Sequence, residues 1–133
     1  MKRESRTPTS LSFTVPLVPP SVNMYVRHSR KGAHVVTKEA LAFKEAVAVL
    51  CRGRYATGRE FAVALHITLG KGDRGDVDNY PKLCLDGLAA CGAFQNFKGI
   101  RVSDAHIVFL AVDLDRKTRP DNGWTQITIE GAN

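Results

Sequence analysis

A chain of 133 residues, 44% of them hydrophobic, can enclose one ordinary core and is too short for two. Its formal charge of +6 is lopsided, with eleven Lys/Arg against four Asp/Glu in residues 1–60 and eight against nine in residues 61–133. No apolar run can cross a bilayer and no apolar stretch follows the basic start, which excludes membrane-spanning and exported classes and leaves a cytoplasmic protein as the expectation.

Residues 1–10 are polar, basic and interrupted by Pro8, the composition of a frayed terminus. Residues 11–15 alternate as a short strand should, and Pro16, Pro19 and Pro20 stop it. A long loop is expected over residues 18–33, carrying Asn23, Tyr25, Arg27, His28, Arg30 and Lys31. Thr37 can cap a helix running to about Arg52, with Ala40, Leu41, Phe43, Val47, Ala48 and Leu50 as its apolar stripe. Phe61, Val63, Leu65, Ile67 and Leu69 then alternate with smaller or polar residues, the clearest strand signal in the chain.

A glycine-punctuated turn over residues 71–75 leads into a second helix, expected over residues 79–91. Pro81 lacks an N–H and fits only a first helical turn, so it sets that helix's start near Asp78 or Asn79, and Gly92 is a plausible stop. Residues 93–102 show no periodicity and are expected to be irregular. Strands are expected over residues 106–114, with Asp104 at the entrance, and over residues 124–130. The order β, loop, α, β, α, β, β predicts a single α+β domain over residues 1–133, two main helices packed on a small mixed sheet.

Cys51, Cys84 and Cys91 are odd in number and form no C-x-x-C pair, so reduced thiols acting as small hydrophobes are expected. His28, His34, His66 and His106 lack zinc-type spacing. His66 and His106 fall in strand patterns and read as structural, whereas His28 lies among Arg27, Arg30 and Lys31, where phosphate contact is natural.

The segment from Gly75 to Asp86 concentrates the chemistry: Asp76, Asp78, Asn79, Lys82 and Asp86. Four-residue steps advance about 400° around a helix, so Asp78, Lys82 and Asp86 share one face. Carboxylates this close repel one another unless a counter-charge is present. Mg²⁺ takes oxygen ligands, commonly one or two carboxylates plus waters, and leaves positions for phosphate oxygens. Asp76, Asp78 and Asp104 suit that chemistry, with Asp86 as an additional candidate ligand and Lys82 placed to neutralise charge on a phosphate under attack. A plainer reading stands beside it: Asp78 as an N-cap and Asp78–Lys82–Asp86 as i,i+4 pairs worth a few tenths of a kcal/mol (~0.3) each. A basic half beside an acidic cluster also suits a polyanion, its phosphates gripped at one place and attacked at another.

Three stretches in this order, Pro19-Pro20-Ser21-Val22-Asn23-Met24-Tyr25-Val26-Arg27-His28, then Asp76-Val77-Asp78-Asn79 with Lys82 and Leu85-Asp86-Gly87-Leu88, then Ser103-Asp104-Ala105-His106, resemble the RusA-type Holliday junction resolvases. The likeness runs from about Phe13 to Glu130. It implies a RusA-like fold and a Mg²⁺-dependent endonuclease, with Mn²⁺ able to substitute, commonly of phage or prophage origin. Such an enzyme works as a homodimer that nicks four-way junction DNA in pairs during recombination and repair. By the resemblance, Asp76, Asp78 and Asp104 match the family's metal-binding acids, Lys82 its essential lysine and Asp86 a recurrent acid. Asn23, Tyr25, Arg27, His28, Arg30, Lys31 and Asn79 become the expected DNA contacts. Two departures stand out: Ser103 occupies a position often acidic in the family, and the connection over residues 89–102 is longer than usual. Two other readings compete, a branched-DNA-binding protein without catalysis and a nuclease for flaps or forks.

Overall fold

The computed structural model describes residues 7–19, 26–28, 34–36, 38–73 and 81–133, the first two short strands by backbone alone. The chain is an α+β protein: a four-stranded mixed sheet with two helices on one face. Its elements are β1 (Ser10–Val15), β2 (Val26–His28), β3 (His34–Val36), α1 (Lys38–Cys51), β4 (Ala56–Thr57), β5 (Glu60–Thr68), α2 (Pro81–Ala90), β6 (Phe94–Gln95), β7 (Ile107–Asp115) and β8 (Trp124–Ala132). A single 3₁₀ turn, Asp104–His106, precedes β7.

The main sheet has the order β1-β8-β5-β7. β8 runs antiparallel to both β1 and β5, whereas β5 and β7 are parallel, with Phe61 opposite Ile107 and Thr68 opposite Asp115. Parallel neighbours need a crossover, and α2 supplies it. The alternation in β1 and β5 sorts side chains as expected: Leu11, Phe13, Val15, Phe61, Val63, Leu65 and Ile67 are buried, while Ser12, Thr14, Ala64 and His66 are exposed on the opposite face. Ile127 and Ile129 of β8 complete the buried face.

α1 and α2 cover that face with Ala40, Phe43, Val47 and Cys51 from one helix and Leu83, Cys84 and Leu88 from the other. The helices meet closely at Gly87, where a Cβ would lie 3.4 Å from Val47 Cγ1. The ring of Phe94 meets that of Phe61 edge-on, with centroids 5.1 Å apart, and closes the core at the end of the sheet where α2 finishes. Among the described residues no helix is long and apolar enough to cross a membrane.

Several expectations change in detail. Within the anticipated loop over residues 18–33, Val26–His28 is a strand, paired antiparallel with His34–Val36. The basic and polar residues in and around it mask the one β-branched pair of the ladder, Val26 opposite Val36. Leu41 is 56% exposed rather than in the α1 stripe, because the buried positions 40, 43, 47 and 51 leave residue 41 about 100° off their axis. Phe94–Gln95 pairs in parallel with Ala56–Thr57 inside the stretch expected to be irregular, two residues being too few to show a period. His106 belongs to the 3₁₀ turn, and β7 starts at Ile107. Thr37, the expected cap of α1, lies outside the described residues.

The connection after α2 is ordered. Asn96 Oδ1 accepts from the N–H groups of Lys98 and Ile100, Gln95 bridges to Arg101, and Val102 N donates to the Phe94 carbonyl. Ile100 is left 57% exposed at its tip.

Candidate functional site

α2 begins at Pro81, which spends its missing N–H where no intrahelical partner exists. One turn in, Lys82 and Asp86 lie on the same face, with Nζ 3.8 Å from Oδ2. Lys82 is exposed and Asp86 is partly shielded, so the ammonium is available to an incoming anion. Asp76, Asp78 and Asn79 lie outside the described residues, as do Asn23, Tyr25, Arg30 and Lys31. Arg27 and His28 are in β2, their backbones opposite Val35 and His34.

Asp104 opens the 3₁₀ turn. Ser103 caps it, its hydroxyl accepting from the Ala105 N–H at 3.3 Å, so Ser103 has a structural use. The Asp104 carboxylate is exposed and has no hydrogen-bond or ion-pair partner among the described residues. The turn packs against α2, the helix that carries Lys82 and Asp86.

Strand polarity places Asp104 relative to the exit of β5. β5 and β7 are parallel, so Asp104 stands at the Phe61 end while the chain leaves β5 for the acidic segment at the Thr68 end. Seven residues of strand, about 23 Å, divide the two ends. α2 starts after the acidic segment and finishes near the Asp104 end, where the Ala56 N–H meets the Ala93 carbonyl. Among the described residues no three His, Cys, Asp or Glu side chains form a metal-holding cluster. Of the candidate ligands, Asp86 and Asp104 fall among the described residues, and carboxylate oxygen is the donor type a hard cation such as Mg²⁺ prefers.

The turn that delivers the acidic segment is tightly held, and here sequence reading missed a residue. Arg119 Nη1 donates to the carbonyls of Gly70 at 2.9 Å and Asp73 at 2.7 Å, and Asp73 Oδ2 accepts from the Gly70 N–H at 2.7 Å. Arg119 adopts a left-handed backbone, φ 45°, to reach them. The Lys71 N–H bonds the Pro120 carbonyl, and Lys71 Nζ pairs with Asp121 at 2.8 Å. The only trace of this clamp in the sequence is the charged, Pro-containing turn over residues 116–123, which names no partner.

Asp115 shapes that turn. The Thr118 hydroxyl, then the N–H groups of Thr118 and Lys117, bond its carboxylate and hold it down to about 2. A depressed carboxylate stabilises the fold above its ordinary value, and the contribution is lost as pH falls from about 4 through about 2. Replacing Thr118 by Val is expected to bring Asp115 back toward 3.8 in an NMR titration. An unchanged midpoint would show that the hydroxyl is not the main cause.

His66 and His106 are not core residues. His66 Nδ1 bonds Asp113 on the exposed sheet face, and His106 Nδ1 lies 3.4 Å from the Arg59 carbonyl. Comparison with protein-family models finds no match, and none of the curated proteins matches the chain.

Proposed function

We propose that the chain is a Mg²⁺-dependent, structure-specific endodeoxyribonuclease that nicks four-way DNA junctions, acting as a homodimer on DNA inside a bacterial or phage-infected cell. The observation that carries this reading is the combination of Asp76 and Asp78 ahead of a helix opened by Pro81, Lys82 and Asp86 on one face of that helix, and an Asp104 without a partner among the described residues, in a turn packed against it. The plainer reading of Lys82 and Asp86 as a surface pair accounts for the helix face but gives no reason for Asp104.

Asp76, Asp78 and Asp104 would hold the metal, with Asp86 beside Lys82 as a further oxygen donor, an arrangement that requires the segment over residues 74–80 to carry Asp76 and Asp78 from the Thr68 end of the sheet to Asp104 at the Phe61 end. A Mg²⁺ held there would supply activation of a water and charge neutralisation at the leaving oxygen. Lys82 carries a fixed positive charge toward the phosphate that gains negative charge during in-line attack. The basic residues Arg27, His28, Arg30 and Lys31 grip backbone phosphates, Asn23 and Asn79 hydrogen-bond the DNA, and Tyr25 stacks on an opened base. The decisive assay is cleavage of a synthetic four-way junction with and without Mg²⁺, compared with linear duplex, flap and fork substrates. Faster cutting of flaps or forks would move the substrate assignment, and salt-sensitive binding without any cleavage would favour the non-catalytic reading.

Dimerisation is supported by β7, which is the outer strand of the sheet among the described residues and leaves Val108, Phe109 and Leu110 exposed across its two faces. Uncharged apolar residues on an open edge are a template for pairing with another strand, and an antiparallel β7–β7 contact would satisfy two-fold symmetry. Phe109→Lys combined with Leu110→Lys is expected to halve the mass measured by light scattering from twice 14.6 kDa to 14.6 kDa. A wild-type chain that is already monomeric at micromolar concentration would remove the dimer from the proposal.

A further inference from the structure

The three cysteines are not equivalent. Cys51 is the last residue of α1 and fully buried; Cys91 is the first residue after α2 and half-buried; Cys84 lies inside α2, fully buried. The Sγ atoms of Cys51 and Cys91 are 2.8 Å apart, well inside the contact distance of two non-bonded sulfurs, although the residues are 40 positions apart in the chain. A disulfide needs a separation of about 2.05 Å, so roughly 0.8 Å of approach remains. The Cys51 thiol also donates to the Arg54 carbonyl at 3.5 Å and the Cys91 thiol to the Leu88 carbonyl at 3.4 Å.

From this geometry we infer that Cys51 and Cys91 form an oxidation site, a dithiol that closes to an intramolecular disulfide and bolts the C-terminal end of α1 to that of α2. The inference is independent of the nuclease reading, although α2 is the helix that carries Lys82.

Cys91 is the attacking thiol. The hydrogen bond from Cys51 holds it below the usual thiol range against the opposing effect of burial, with help from the N–H groups of Ala93 and Cys91 and the nearby Arg101. Arg101 is close enough that a Cβ on Gly92 would lie 2.6 Å from its Nε. With hydrogen peroxide as oxidant, the Cys91 thiolate attacks one peroxide oxygen, the O–O bond breaks and hydroxide leaves, giving a sulfenic acid. The Cys51 thiol gives its proton to that hydroxide as its sulfur displaces the sulfenic hydroxyl, which leaves as hydroxide. This second hydroxide takes the proton lost earlier from Cys91. Two thiols and one peroxide thus yield one disulfide and two waters. Cys84 takes no part, since burial pushes it up to about 12 and no other thiol touches it among the described residues.

The test treats the folded, full-length wild-type chain with stoichiometric hydrogen peroxide, then denatures it and counts free thiols beside the intact mass and the peptide map. Expected are a fall from three thiols to one, a mass lower by about 2 Da, one peptide linking Cys51 to Cys91, and a melting temperature higher by about 10 °C that dithiothreitol reverses. Cys91→Ser is expected to retain both remaining thiols under the same treatment. The proposal is overturned by three surviving thiols in the wild type, by a bridge that includes Cys84 or a second chain, or by a bridged form that melts no higher than the reduced one.

Discussion

Asp76→Asn is expected to abolish junction cleavage while leaving junction binding within about two-fold, a loss of about 10³-fold or more in single-turnover rate. The substitution keeps size and hydrogen-bonding capacity but removes the negative charge a metal ligand needs. Asp104→Asn is expected to act alike, and because Asp104 is exposed and has no partner among the described residues, the substitution removes no described structural contact. Lys82→Ala should also slow cleavage, but its exposed charge and the 3.8 Å contact with Asp86 give it little weight in stability. Melting temperatures of Asp104→Asn and Lys82→Ala within about 2 °C of wild type would confirm that the loss is chemical. Full activity in both Asp76→Asn and Asp104→Asn would sink the nuclease assignment. A second readout needs no activity: Mg²⁺ should raise the wild-type melting temperature and fail to raise that of Asp76→Asn.

Gly123→Ala is expected to destabilise the fold by about 3 kcal/mol or more, the largest single-residue stability effect proposed for this chain. Gly123 sits where the loop before β8 crosses the end of β5. A Cβ there would collide with the Thr68 carbonyl oxygen and the Val18 side chain and lie 2.7 Å from the Gly70 nitrogen. Two of those three neighbours are backbone atoms, so relief requires moving the strand end rather than turning a side chain. Gly70 is caught in the same crossing, since its own Cβ would lie 2.7 Å from the Gly123 nitrogen. Gly70 also accepts from Arg119 and donates to Asp73, so a shift there moves the turn that leads to Asp76. Urea denaturation measures the loss, and a change below about 1 kcal/mol would show that the crossing is looser than drawn.

Much of the scaffold was legible before any coordinates. Phe13, Val15, Phe61, Val63, Leu65, Ile67, Phe43 and Val47 were picked out by their period of 2 or 3.6 and are buried. Pro81 marked the start of α2 to within two or three residues, because its chemistry allows only the first turn. Lys82 and Asp86 were expected on one face and lie 3.8 Å apart. These features depend on residues a few positions away, and local backbone geometry dictates them.

Other features were invisible for an equally physical reason. The parallel pairing of β5 with β7, which sends Asp104 to the end of the sheet away from the exit of β5, is a choice of partner between strands dozens of residues apart. No period encodes it. The same holds for Arg119, which closes on Gly70 and Asp73 from 49 and 46 residues away, and for Cys51 and Cys91, brought together only because α1 and α2 end side by side. Val108, Phe109 and Leu110 fit a strand whether or not a neighbour covers them, and only the strand order reveals that β7 is an edge. The sequence by itself determined which segments fold as strand and helix and which residue types cluster near the start of α2. Tertiary structure alone decided strand order, polarity and which distant side chains meet, since those follow from burying one shared apolar face rather than from any local preference.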